Sequence, residues 1–107
     1  MRNVPSQVVI ATVKPMPQHR DEVRAALLEG IPSVHDEPGC ELYALMETSD
    51  ALIFIEQWAS EEALDHHGSG PTVAAMQTAL EGRLSEPVSV VVGTPLAGDA
   101  PKGVLRG

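Results

Sequence analysis

The run Leu52–Trp58 (LIFIEQW), followed one residue later by Ser60 and an acidic helix start, constrains this chain more than any other stretch. Strand side chains alternate between faces, so Leu52, Phe54, Glu56 and Trp58 share one side and Ile53, Ile55 and Gln57 the other. Apolar groups stand on both sides. Such a strand needs cover on both faces, which calls for helices on one side of its sheet and a second apolar layer on the other. Ser60 suits an N-cap, and Glu61 and Glu62 fall in the first turn, where the helix dipole favours acids.

The neighbouring segments supply the rest of a sheet. Val8–Lys14 (VVIATVK) is rich in β-branched residues and reads as a first strand ended by Pro15 and Pro17. A helix is expected over Gln18–Val34, with Val23, Leu27, Ile31 and Val34 on one stripe. Gly30 and Pro32 predict a kink or break in its last turns. Asp36–Gly39 (DEPG) is a turn by composition. Cys40–Glu47 then alternates, with Cys40, Leu42, Ala44 and Met46 on one face and Glu41, Tyr43, Leu45 and Glu47 on the other. Thr48–Asp50 joins it to Leu52–Trp58 as a hairpin.

A short helix runs from Ser60 to His67 until Gly68, Ser69 and Gly70 interrupt it. Pro71 restarts a helix with Val73, Met76 and Leu80 on one stripe, and Gly82 marks its end. A last strand, Val88–Val92, is apolar at nearly every position. The order βαββαβ, with short connections, predicts an α+β fold of the ferredoxin-like kind, a four-stranded antiparallel sheet with helices on one face. The domain is expected over residues 1–94, with a Pro/Gly-rich tail over 95–107. Two-sided apolar strands further predict a homodimer in which two sheets pack face to face.

Charge and cysteine content narrow the function. A net charge of -8 offers no basic face to nucleic acid or to an anionic membrane surface. A single cysteine, Cys40, excludes an internal disulfide and suits a reducing compartment. No apolar run is long enough for an export signal or a membrane span, so a cytoplasmic location is expected. Metal-ligand spacing, a phosphate-binding glycine loop and a nucleophile elbow are all missing, so no metal and no cofactor is expected.

The chemistry-bearing residues gather around the central strand. His66 and His67 are adjacent, so one alone faces the core, and helical geometry selects His67. It is a candidate general base or a partly buried histidine satisfied by a carbonyl, and spacing alone favours the second. Glu56 on a largely apolar strand face needs a partner or takes a raised pKa. Trp58 is either a core plug or a pocket wall with an orienting indole N–H. Tyr43 on the adjoining strand can reach the same region, and Phe54 shares the face. His19 and His35 read as surface residues.

Taken in order, Glu37–Cys40 (EPGC), Tyr43, Glu56-x-Trp58, Glu62–Leu64 (EAL) and His67 resemble the antibiotic biosynthesis monooxygenase (ABM) domain family, of the dimeric α+β barrel group. The resemblance spans roughly Val8–Val92. It implies a dimer closed by sheet packing and a pocket between sheet and helices in each subunit. It also implies cofactor-independent monooxygenation, in which a phenol, quinol or related enolisable compound is deprotonated and the anion passes an electron to O₂. On that reading His67, Trp58 and Glu56 are the catalytic group and Tyr43 and Phe54 contact substrate. Family members often carry Pro-His-Phe where this chain has Pro71, Thr72 and Val73. With one Trp, one Tyr and one Phe in the chain, the expected substrate is small rather than a large polycycle. A non-catalytic binder or isomerase on the same fold stays open, as does a structural dimer with a collapsed pocket. A haem-degrading relative is disfavoured, because Val8–Lys14 lacks an Asn.

Overall fold

The computed structural model describes residues 6–96. Its elements are β1 (Gln7–Val13), a short 3-10 turn (Pro17–His19), α1 (Arg20–His35), β2 (Cys40–Glu47), β3 (Leu52–Trp58), α2 (Glu61–Gly68), α3 (Pro71–Leu80) and β4 (Ser89–Gly93). The strands form one antiparallel sheet in the order β2-β3-β1-β4. This is the ferredoxin-like α+β plan, with the second crossover helix broken at Gly68–Gly70 into two pieces. Most of the expected tail, and the start of the N-terminal arm, lie outside the described residues.

Register places the functional candidates. On the helix-covered face, Tyr43, Glu56, Val9 and Val92 form one row across all four strands. Leu45, Phe54, Ala11 and Val90 form the next. Glu56 thus occupies the middle of the sheet, flanked by an aromatic and a valine. Val9, Val13, Leu52, Phe54 and Trp58 are buried beneath the helices, and α1 adds Val23, Leu27 and Val34. Burial of several such side chains, at roughly 1.5–3 kcal/mol each, supplies the main drive for closing the helices onto the sheet.

Three local expectations are corrected. α1 runs unbroken through Gly30 and Pro32 to His35. Gly30 lets Met76 of α3 lie directly against the helix, since a Cβ there would stand 2.2 Å from Met76 Cε. Packing of α1 on β2 and α3 outweighs the one hydrogen bond that Pro32 forfeits. Next, the β2–β3 register shifts between Cys40 and Leu42, a bulge that opposes Cys40 to Trp58. Cys40 therefore packs on the core with Tyr43 rather than sharing the face of Leu42. Finally, the last strand begins and ends one residue later than expected, and all of it is exposed in the single chain. It is an edge strand, paired on one side only, and Val90, Val91 and Val92 are 58%, 62% and 50% exposed.

The β2–β3 hairpin is tied to α1 from outside. Arg20 donates to Glu47 and to the carbonyls of Thr48 and Ser49, and Arg24 adds further bonds to Glu47. The open sheet face carries Ile10 at 37% and Met46 at 46% exposure, with Ile53 and Ile55 half-buried.

Candidate functional site

The site assembles where the end of β3 meets α2. Ser60 caps α2, its hydroxyl accepting from the backbone N–H of Ala63 at 3.1 Å. That cap fixes the first turn and so the direction of every later side chain. His67, in the second turn, points inward and is 6% exposed, while His66 faces solvent. The ring of His67 stacks on Trp58 with centroids 4.4 Å apart.

A third element completes the arrangement. Gly39 adopts φ +81° in the turn after α1, a left-handed conformation that favours glycine. Its carbonyl accepts from the N–H of Ala59 at 2.8 Å, fastening the turn to the end of β3. The turn thereby delivers Glu37, whose Oε1 lies 2.8 Å from His67 Nδ1. A carboxylate only accepts, so Nδ1 is the donor of this bond, and in the neutral ring the lone pair falls on Nε2. Nε2 stands 4.0 Å from Glu56 Oε1.

Glu56 itself is 4% exposed and accepts from the indole N–H of Trp58 at 2.9 Å. Burial pushes its carboxyl above the usual range, opposed by the Trp58 hydrogen bond and by His67 and reinforced by Glu37. The Tyr43 hydroxyl is pushed well above its ordinary value, first by burial and then by Glu56 and Glu37, so it remains a donor at neutral pH. It donates to Met76 Sδ at 3.7 Å, and its ring stacks on Phe54 at 4.5 Å. Cys40 is likewise raised, by burial and by Glu37 and Glu56, which makes it a poor nucleophile.

A cavity of about 420 Å³ opens beside these groups, between the sheet and α2–α3. His67, Glu56 and Tyr43 provide its ionisable groups, and Phe54, Leu64 and Met76 are among its apolar walls. The cavity lies against His67. The structure brings together His67, Glu56, Trp58, Tyr43 and Phe54, but in two layers. Trp58 is wholly buried behind Glu56 and His67 and does not line the cavity. Its position therefore corrects the pocket-wall alternative in favour of a plug that holds both neighbours. Glu37 had no place in the sequence-derived set, although its EPGC turn did. Its signal was a carboxylate two residues before a glycine at the mouth of the central hairpin. His35, by contrast, lies at the surface, its Nε2 3.0 Å from the Tyr43 carbonyl. Among the described residues no cluster of three or more His, Cys, Asp or Glu is placed to hold a metal ion.

Sheet order, broken crossover helix and a cavity beneath the helices lined by His67, Glu56 and Tyr43 define a ferredoxin-like α+β domain. The family described as antibiotic biosynthesis monooxygenase matches residues 6–79. The Mycobacterium tuberculosis protein named "Putative monooxygenase Rv0793" is 36% identical over 90 residues, 82% of this chain and 89% of that protein. The solved structure of Rv0793 superposes with a TM-score of 0.82 at 32% identity, covering 89% of this chain and 99% of that one. The Pseudomonas aeruginosa protein PA3566 has the same fold, with a TM-score of 0.82 at 23% identity over 91% of this chain and all (100%) of that one. This chain belongs to the antibiotic biosynthesis monooxygenase family.

Proposed function

We propose that the protein is a monooxygenase that acts on a small phenol, quinol or related enolisable compound and draws on no cofactor, and that it works as a homodimer with the open sheet faces packed together. One observation carries the reading. A buried imidazole, held by a carboxylate on Nδ1 and facing the Glu56 carboxyl with Nε2, lines a largely apolar cavity.

His67 Nε2 takes the proton of a substrate hydroxyl, and Glu37 steadies the imidazolium that results, as a carboxylate does for any histidine base. The Glu56 carboxyl, whose pKa burial raises, donates a hydrogen bond to the new anion when it carries its proton. Trp58 positions both groups without touching substrate, and Tyr43 and Phe54 bound the ring. The electron-rich anion passes an electron to O₂ and the two radicals combine. For a quinol the balance is closed by substrate and O₂ alone. One oxygen atom becomes a ring hydroxyl, the other leaves as water with two hydrogens, and the product is a hydroxyquinone.

Oxygen uptake by metal-free protein with a panel of quinols and anthrones tests this. His67→Ala is expected to lose about 10²–10⁴-fold of the catalysed rate. Uptake no faster than the uncatalysed reaction, with the protein folded, refutes the proposal. A second reading, a proton-shuttling isomerase, is favoured by the same facing pair of a raised carboxyl and a free imidazole nitrogen. Turnover that continues under argon selects it.

A further inference from the structure

Three ionisable groups meet at the base of the cavity, and two of them are acids. Glu37 contacts His67 at 2.8 Å, and Glu56 stands 4.0 Å from the other ring nitrogen. Among the described residues that line the cavity there is no Lys or Arg. The adjoining depression, which shares Gln77, Leu80 and Val88 with the cavity, adds two more acids, Glu81 and Glu86. Of these, Glu86 is paired with Lys14 at 3.2 Å.

This distribution of charge discriminates between ligands. A carboxylate, sulfonate or phosphate entering the cavity would lose its water without gaining a cation, beside one carboxylate already paired to His67. Moving an unpaired charge into such surroundings is among the costlier events in protein chemistry. A neutral compound with one weakly acidic hydroxyl meets no such cost. When it ionises, its proton moves to His67, so the total charge of ligand and site is unchanged and the new anion lies against an imidazolium. The cavity volume of about 420 Å³ is at the lower end for small-molecule sites, enough for one or two fused rings.

We propose that this site selects uncharged one- or two-ring hydroxyaromatic compounds and rejects analogues that carry a permanent anionic substituent. The proposal rests on the functional reading above and narrows its substrate class.

The test compares 1-naphthol with 1-naphthol-4-sulfonate by calorimetric titration of the full chain. The same charge contrast in oxygen uptake is made with 2-methyl-1,4-naphthoquinol and 1,4-naphthoquinol-2-sulfonate. Binding of the sulfonate is expected to be at least about tenfold weaker than that of 1-naphthol. Val90→Lys, on an exposed strand position at the cavity wall, should narrow that gap by tightening sulfonate binding. Equal or tighter binding of the sulfonate to the wild type overturns the charge rule. So does failure of the folded protein to bind either naphthol. Selective binding of 1-naphthol without oxygen uptake from the uncharged quinol leaves the ligand class standing and refutes the monooxygenase reading instead.

Discussion

Gly39→Ala tests the link between the turn and the candidate base most directly. Gly39 has φ +81°, and a Cβ added there would stand 2.5 Å from the Cβ of Ala63 in α2. Two costs are therefore incurred together. The left-handed conformation is unfavourable for an L-residue by about 1–2 kcal/mol. Overpacking against a short, rigid side chain on a capped helix costs about 1–3 kcal/mol, because Ala63 has no rotamer to move into. A combined loss of about 2–5 kcal/mol is expected, a large part of a typical domain stability. Urea unfolding followed by Trp58 fluorescence measures it. At a slope of about 2 kcal/mol per molar, the middle of the small-domain range, the midpoint should fall by about 1–2.5 M. Ala63→Gly removes the steric half alone, so the double variant should recover about 1–3 kcal/mol beyond additivity. The histidine resonances add a functional readout, since a displaced turn separates Glu37 from His67. A Gly39→Ala midpoint within error of wild type, or a double variant that is strictly additive, refutes the assignment of that turn as the clamp on His67.

Gly30→Ala should behave differently, because its added Cβ meets the flexible end of Met76. Stability should change by less than about 1 kcal/mol, helix propensity offsetting the shift, while 1-naphthol affinity changes because Met76 lines the cavity and accepts from Tyr43; calorimetry and urea unfolding on one sample check both. Glu56→Gln should stabilise the fold at neutral pH. The folded-state pKa of Glu56 is raised, so its charge weakens the fold as pH rises through the interval between the ordinary and the raised value, and chemical unfolding from pH 4 to 8 should show that loss in wild type and not in the variant. Glu47 has the opposite sign. Arg24 and Arg20 hold its pKa down from 4.5 to about 2, so its contribution is present above 4.5 and lost as pH falls toward 2. Glu47→Gln should flatten the acid limb of the stability profile in that window, a modest effect because the pair is solvent-exposed and salt-screened.

Local pattern carried much of the fold. The two-sided apolar run Leu52–Trp58, the β-branched first strand, the stripe Val23–Leu27–Val34 and the break at Gly68–Gly70 are all read from spacing within one element. They determine which residues meet water, and that selects the ferredoxin-like plan. Helical geometry also separated His67 from His66, because adjacent helical residues cannot share a face. The same rules misplaced Cys40, since a bulge is set by how two strands pair and leaves no mark in the alternation of one. They placed β4 one residue early too, for apolar composition shows what a strand can bury and not where its ladder begins.

What tertiary structure alone decided is the wiring of the site. Glu37 and His67 are 30 residues apart, on a turn and a helix that meet because Gly39 is left-handed and its carbonyl is fastened to Ala59. Nothing local requires that meeting. The row Tyr43–Glu56–Val9, the stack of His67 on Trp58 and the retreat of Trp58 behind the cavity follow from strand register and helix docking. Residue order alone sets the residue types available for acid–base chemistry and most of the faces they occupy. Their pairing, the proton on Nδ1 and the raised carboxyl of Glu56 come from distances and burial that exist only once non-adjacent segments have packed, because electrostatic coupling and desolvation depend on separation in space and not along the chain.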